Sequence, residues 1–170
     1  MHFVTCTPSR MDKATFVTTF GGIYEHSPWV AERAWEQGIG PEHDAIPTLH
    51  ALLANQFLLG SDEEHLAVIR AHPDLAGKAA QQGELTAHSS TEQTEAGLAA
   101  CSAEERERFH ALNHAYRQRF GFPFIMAVKG QQRQAILETF AERLENTPAQ
   151  EFANALGEIN RIAWLRLSIM

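Results

Sequence analysis

The sequence predicts an all-α protein, and three observations support this fold class. Apolar residues recur at three- and four-residue spacing, which is the period of one helix face. Signals for helix starts and stops occur along most of the chain. Asn-Gly and Asp-Gly hairpin turns and sustained period-two alternation are absent, so only Phe124–Val128 is a possible extended segment. We therefore expect a single compact bundle of about seven or eight helices.

The first two helices are predicted from the residues at their ends. A short helix is expected over Asp12–Phe20, where two glycines follow. Ser27 offers a hydroxyl N-cap, Pro28 suits the first helical position, and Gly38 suits the position after the last turn. These three residues predict a second helix over Trp29–Gln37.

The next two helices are predicted from spacing and from a capping motif. The segment Pro47–Leu59 carries leucines and a phenylalanine at helical spacing, which predicts a third helix. Ser61 and Glu64 form an S-x-x-E capping box at the start of a fourth. That helix must end near Ala71, because Pro73 disfavours helical geometry in the residue before it.

The C-terminal part of the chain repeats the same signals. Ser102 and Glu105 form another capping box, and the helix that they begin is expected to stop at Gly121. The apolar stripe within Ile136–Leu144 predicts one more helix. Thr147-Pro148 then opens a last helix that runs to the C-terminus.

Composition limits the class of protein. The chain has 170 residues, 44% of them hydrophobic, and no linker rich in Ser, Gly or Pro, so we expect one domain over residues 1–170. Such a chain buries roughly 70% of its unfolded surface and needs no metal or disulfide to fold. The net charge of −7 argues against nucleic acid as a partner, because phosphate recognition requires clustered Lys and Arg.

The expected compartment follows from cysteine usage and hydropathy. Only two cysteines occur, without a CxxC pair, and this favours a reducing compartment. No run of ~18 apolar residues and no signal-peptide pattern is present, so a soluble cytoplasmic protein that does not bind membranes is expected. There is no GxSxG or phosphate-binding loop and neither cysteine has the setting of a nucleophile, so covalent catalysis is not indicated.

Two irregular segments carry candidate chemical groups. His72 follows the last turn of a predicted helix, where unpaired carbonyls favour an imidazolium that could donate a proton. The alternative is a histidine that only caps the helix. Glu92 comes three residues after Ser89, so the two side chains could form a capping box, a polar ligand pocket, or both.

The last helix contributes a third candidate. Projection at 100° per residue places Arg166 within the apolar stripe of this helix and Arg161 on the opposite face. An inward guanidinium keeps its charge and needs a carboxylate partner, from a ligand or from the protein itself. A side chain that extends past the core to solvent at the frayed helix end is the other alternative.

A metal centre is not predicted. His43-Asp44 is reminiscent of the metal-binding pair of helical phosphohydrolases, but it lies in a loop and lacks suitably placed helical partners.

Five blocks of sequence, in this order, resemble the 2-oxo-4-hydroxy-4-carboxy-5-ureidoimidazoline (OHCU) decarboxylase family of urate degradation. They are the run Gly22–Glu32, HPDLAGK from His72, SSTEQTEAGL from Ser89, FGFPFI from Phe120 and RIAWLRL from Arg161. The resemblance covers nearly the whole chain.

The resemblance implies a cofactor-free, all-helical enzyme, usually a homodimer, that removes the carboxylate of OHCU and leaves (S)-allantoin. It places the catalytic His on His72 and the catalytic Glu on Glu92. It also implies the following substrate-binding residues: Pro73, Ser89 to Gln93 (Ser89, Glu92 and Gln93 among them), Ile125 with the residues after it, and Arg166. Phe122, Phe124 and Ile125 are expected to form an apolar wall of the pocket, and no metal ligand is implied.

The chemistry of this substrate suggests a mechanism. Loss of CO2 leaves electrons on a carbon next to a ring C=N or C=O, so the chemistry requires neither a metal nor an organic cofactor. We hypothesise that Glu92 and His72 act as one hydrogen-bonded unit, and that His72 protonates a single face of the intermediate. Two rival functions remain: a helical interaction module that docks a protein partner through FGFPFI, and a metal-dependent helical hydrolase.

Overall fold

The computed structural model describes residues 1–170 and confirms the all-α fold class. Eight helices have eight or more residues, one has five, and no β-strand forms. One isolated β-bridge joins His2 and Ala45. None of the helices is both long enough and apolar enough to cross a bilayer. The helices are α1 (Lys13–Phe20), α2 (Trp29–Glu36), α3 (Ile46–Leu58), α4 (Asp62–Ala71), α5 (Lys78–Gln82), α6 (Ala87–Glu95), α7 (Ala103–Phe120), α8 (Arg133–Arg143) and α9 (Pro148–Leu167).

Both predicted capping boxes are confirmed. At the start of α4, the Ser61 N–H donates to the Glu64 carboxylate (2.9 Å) and the Glu64 N–H donates to Ser61 Oγ (3.2 Å). Ser102 and Glu105 form the same reciprocal pair before α7, at 2.8 and 3.1 Å. Gly121 ends α7 with a φ of 77°, a left-handed conformation that glycine adopts without strain. Each cap of this kind stabilises its helix by about 1 kcal/mol.

The prediction that the Ser27 hydroxyl caps the N-terminus of α2 is wrong. Pro28 is the N-cap of α2 and not its first helical residue, and the Ser27 hydroxyl makes no bond to the first turn of the helix. It donates instead to the carbonyl of Glu25 at 2.8 Å. The reason is that the chain enters α2 from a tight turn, in which His26 has a φ of 47° and the Ser27 N–H donates to the Tyr24 carbonyl.

Two other segments differ from expectation. Helix α5 was not predicted, because five residues are too few to show a helical apolar period. The possible extended segment Phe124–Val128 is irregular and pairs with no strand. It is nonetheless deeply buried, so its backbone needs hydrogen-bond partners from elsewhere.

The chain divides into two compact units. The first comprises residues 1–71 and 159–170, and the second comprises residues 72–158. The core of the first includes Phe16, Tyr24 and Phe57, all at most 2% exposed. In the second unit, Tyr116 meets Phe124 and Phe140 edge to face, at ring-centroid distances of 5.4 and 5.7 Å. The second unit contains every predicted site residue except Arg166.

Candidate active site

His72 lies directly after the last residue of α4, as the sequence predicts. Its side chain is buried, with 6% of its surface exposed. The chain then turns through an irregular loop up to α5, and Ala76 in this loop has a φ of 50°. A left-handed alanine costs energy and persists only where neighbouring contacts hold it in place.

Gln93 of α6 supplies two of those contacts. Its Oε1 accepts a hydrogen bond from the Ala76 N–H at 3.0 Å, and its Nε2 donates to the Asp74 carbonyl at 3.3 Å. Gln93 itself is 5% exposed. The side-chain amide therefore fastens the SSTEQ block to the backbone of the loop that begins at His72.

Helix α7 holds the same loop from a second direction. Asn113 Nδ2 donates to the Leu75 carbonyl at 3.0 Å, and the Arg117 guanidinium pairs with the Asp74 carboxylate at 2.9 Å. A cavity of about 350 Å³ lies between this loop and α7, and Pro73 lines it. A second cavity of about 370 Å³ is lined by Gln93. Two of the predicted substrate-binding residues thus border open space.

The capping-box interpretation of Ser89 and Glu92 is wrong. The N-cap of α6 is Thr86, whose hydroxyl accepts from the Ser89 N–H at 3.3 Å, so the helix begins earlier in the sequence. Ser89, Glu92 and Gln93 therefore lie inside α6 at spacings of three and four residues, along one side of the helix. Ser89 and Gln93 are buried and Glu92 is half-buried. Glu92 is consequently not a capping residue.

The FGFPFI block forms the irregular, buried segment after α7. Phe124 is 1% exposed and Ile125 is 2% exposed, and the Phe124 ring stacks on Phe140 with centroids 3.9 Å apart. The Ile125 carbonyl accepts a hydrogen bond from Arg143 Nη1 at 2.8 Å. The apolar character expected of this wall is present, and its contact with substrate stays a prediction.

Arg166 points inward, as its helical phase predicts, whereas Arg161 is exposed. Its guanidinium pairs with Glu25 at 2.9 Å, and both side chains are 2% exposed. Arg166 Nη1 also donates to the Ile23 carbonyl at 3.2 Å. The sequence left open whether the carboxylate partner of Arg166 comes from a ligand or from the protein. The structure shows that the protein supplies one, Glu25.

Glu25 is a functional candidate that sequence reasoning did not single out. The signal available was a lone acidic side chain beside Ile23 and Tyr24, which are apolar and buried. Tyr24 also donates its hydroxyl to Asn160 Oδ1 at 2.7 Å, and burial raises the pKa of Tyr24 well above its usual range. That hydroxyl is therefore a hydrogen-bond donor and not a base at neutral pH.

The weaker candidates have structural roles. The Gly40 N–H donates to His43 Nδ1 at 3.0 Å, and the Asp44 carboxylate accepts from the backbone and hydroxyl of Ser9, both at 2.8 Å. No group of three or more His, Cys, Asp or Glu side chains is arranged to hold a metal ion. Burial raises the pKa of the Cys101 thiol, which is unfavourable for a nucleophile.

Comparison with known proteins identifies the class. The sequence model described as OHCU decarboxylase matches residues 9–168. A 2-oxo-4-hydroxy-4-carboxy-5-ureidoimidazoline decarboxylase from Haloferax volcanii is 40% identical over 169 residues, 99% of this chain and 96% of the relative. The Mus musculus protein of the same name is 39% identical over 160 residues, 94% of this chain and 88% of that protein. These matches define an all-helical decarboxylase, a carboxy-lyase.

Solved structures agree with this class. A crystal structure of (S)-allantoin synthase is 32% identical with a TM-score of 0.73; the match covers 94% of this chain and 51% of that chain. A structure of OHCU decarboxylase in the presence of (S)-allantoin has a TM-score of 0.63 at 23% identity, covering 82% of this chain and 88% of that one, and shows the common fold. The chain belongs to the OHCU decarboxylase family, as its five sequence blocks predict.

Proposed function

We propose that the chain converts OHCU to (S)-allantoin and CO2 in urate degradation, with His72 and Glu92 as catalytic residues. The observation that supports the site assignment is the pair of hydrogen bonds between the Gln93 side chain, which donates to the Asp74 carbonyl and accepts from the Ala76 N–H, and the loop after His72. These bonds bring the block that contains Glu92 against the loop that begins at His72. Two motifs that are distant in sequence thus lie side by side within one compact unit.

The two side chains have complementary roles in this proposal. Loss of CO2 leaves an electron pair on a carbon next to a ring C=N or C=O, which delocalises it. The Glu92 carboxylate accepts a hydrogen bond from the substrate hydroxyl, and His72 returns one proton to that carbon. Because His72 is buried at a fixed point of the loop, it delivers the proton to one face only, which sets the configuration of allantoin.

Binding of the substrate involves further residues. Ser89, Pro73 and Gln93 contribute polar and backbone contacts, and Phe124 and Ile125 form an apolar wall that favours neutral CO2 over the bound carboxylate. Arg166 holds a carboxylate or urea oxygen through its forked donors. We also propose that the protein works in the cytoplasm as a homodimer without a cofactor.

The decisive experiment adds the protein to freshly generated OHCU and follows the circular dichroism of the product. The substrate also decays unaided to racemic allantoin, so optical activity reports enzymatic control of protonation. We expect a rapid dichroic signal of (S)-allantoin. Racemic product formed at the rate of a protein-free sample would overturn the proposal.

The role of His72 is tested by His72→Asn, which retains a polar side chain but cannot donate a proton from an imidazolium. We expect turnover to fall by roughly 10²-fold or more, the scale of a positioned proton donor, with an unchanged far-ultraviolet spectrum. His2→Asn, a change of an exposed histidine that lines neither of the two cavities beside the loop, is the control and should turn over normally. Near-wild-type turnover by His72→Asn would remove His72 from the mechanism.

A further inference from the structure

We propose that Arg143 is a positioning residue that fixes the Phe124–Ile125 wall of the substrate pocket, with Glu151 as its anchor. This inference rests on the proposed function. It concerns a side chain outside the five blocks that identify the family. The observation behind it is a guanidinium that contacts this segment both at its backbone and at an aromatic ring.

The segment of residues 123–128 depends on side chains for its backbone hydrogen bonds. Residues 123–128 have no helical or sheet partners, yet Phe124, Ile125 and Ala127 are each at most 2% exposed. Buried backbone groups need partners. The Ile125 carbonyl accepts from Arg143 Nη1 at 2.8 Å, and the Ala127 N–H donates to the Glu158 carboxylate at 2.7 Å. Charged side chains thus replace the regular backbone ladder that this segment lacks.

The Arg143 guanidinium contacts both this segment and Glu151. Arg143 Cζ lies 4.5 Å from the centroid of the Phe124 ring. Its Nε and Nη2 donate to Glu151 at 3.0 and 2.8 Å. The Arg143 guanidinium therefore donates to the Ile125 carbonyl from one edge, donates to the Glu151 carboxylate from another edge, and contacts the Phe124 ring. A lysine could supply the charge but not these three contacts together.

The anchor of Arg143 is itself held rigidly. Glu151 is fully buried, and its carboxylate also accepts hydrogen bonds from Tyr116, Asn146 and Asn154. Five donor groups, on α7, α8, α9 and the loop between α8 and α9, hold it in one position. Desolvation of a buried ion pair costs free energy, and such a pair often adds little net stability. We therefore expect the Arg143–Glu151 pair to act mainly by fixing the local conformation. That conformation is the one of Phe124 and Ile125.

The test compares Arg143→Lys with Arg133→Lys. Arg133 is a matched control on the same helix, since its guanidinium also joins a carboxylate (Glu105, 3.2 Å) to backbone carbonyls (Gly97, 3.0 Å, and Ala100, 3.1 Å). Steady-state constants for OHCU and the enantiomeric excess of allantoin are measured, with a thermal melt of each variant. We expect Arg143→Lys to raise KM about tenfold, with kcat within about threefold of wild type and a lower enantiomeric excess.

The control separates positioning from stability. Arg133→Lys is expected to lower the melting temperature less, because the Arg133 and Glu105 side chains are 33% and 29% exposed, and to leave KM and enantiomeric excess unchanged. Both variants are assayed well below their melting temperatures, so a change of KM does not report unfolding. Equal KM values for Arg143→Lys and wild type, or an equal rise of KM in both variants, would overturn the proposal.

Two other outcomes are also decisive. If Arg143→Lys does not fold, Arg143→Gln is measured in the same way, because its amide nitrogen lies near the position of Nε and can still donate to the Glu151 carboxylate, whereas it is too short to reach the Ile125 carbonyl. Failure of both variants to fold at 15 °C would show a purely structural role and overturn the proposal. If the wild-type protein gives only racemic allantoin, both the proposed function and this inference are wrong. If the wild type is active, the comparison of variants tests only the role of Arg143.

Discussion

The two compact units each bury an arginine–glutamate pair, and the two pairs are built in opposite ways. Around Glu151, the carboxylate is at the centre, and donors from Arg143, Tyr116, Asn146 and Asn154 converge on it. Around Arg166, the guanidinium is at the centre, and the oxygens that surround it belong to Glu25 and to two backbone carbonyls. Both carboxylates are buried, and Arg143 is 12% exposed whereas Arg166 is 2% exposed, but the main difference is the group at the centre of each site.

This difference indicates what each pair is suited to do. A carboxylate that accepts from several side chains links the elements that carry those side chains, so it fixes the conformation around it. A guanidinium held by carbonyls and one carboxylate keeps a forked cation in a defined direction, which suits recognition of a planar anion or a urea oxygen. We therefore expect loss of Glu151 to affect mainly stability and loss of Arg166 to affect mainly substrate binding.

The largest effect is expected for Glu151→Ala. The change leaves the Arg143 guanidinium buried without its carboxylate, and breaking a buried pair in this way costs about 3 to 5 kcal/mol. The free energy of unfolding is measured by urea denaturation. Glu36→Ala is the control, because Glu36 pairs with Lys13 on the surface, where both side chains are at least half exposed; this variant should unfold like the wild type. Equal losses for the two variants would contradict the carboxylate-centred interpretation.

A smaller effect, on binding, is expected for Arg166→Lys. Lysine keeps the charge and could replace the single nitrogen, Nη1, that contacts Glu25 and Ile23, but it has no second nitrogen in the same plane to bind a planar substrate group. We expect KM for OHCU to rise about tenfold, which corresponds to about 1.4 kcal/mol. The control is Arg161→Lys, on the exposed face of the same helix. Unchanged steady-state constants in Arg166→Lys would mean that the guanidinium is structural and that the two pairs do not differ in role.

Sequence reasoning succeeded where a feature depends on a few neighbouring residues. The starts of α4 and α7 follow from Ser61 and Ser102 with their reciprocal glutamates, and Gly121 ends α7. The inward direction of Arg166 follows from helical phase alone. All these features are set within one or two turns of helix, so no knowledge of distant contacts is needed.

Sequence reasoning failed where a structural feature depends on contacts between distant segments of the chain. Thr86, and not Ser89, caps α6, and the Gln93 side chain within this helix bonds the backbone of Asp74 and Ala76, a contact between segments that local spacing does not reveal. With 21 acidic residues in the chain, helical phase could not select Glu25 as the partner of Arg166. Helical phase could not single out Glu151 for the same reason, since its donors come from three helices and one loop. Convergence of His72, Glu92 and Arg166 on one substrate likewise stays a prediction.

The smallest expected effect is a difference in pH dependence between wild type and Glu151→Gln. Burial alone would raise the pKa of Glu151, but the hydrogen bonds donated by Arg143, Asn146, Tyr116 and Asn154 lower it below the ordinary value of 4.5. A carboxylate with a lowered folded-state pKa contributes stability that is present above the unfolded-state value and lost as pH falls through the folded one.

Wild-type stability should therefore decline more steeply than that of Glu151→Gln as the pH falls below about 4.5. The difference arises because glutamine has no proton to take up, whereas the other carboxylates titrate in both proteins. Urea denaturation at a series of pH values from 7 to 3 measures it. Parallel profiles would show that the donors around Glu151 do not stabilise its charged form, and the contrast between the two buried pairs would then lose its electrostatic basis.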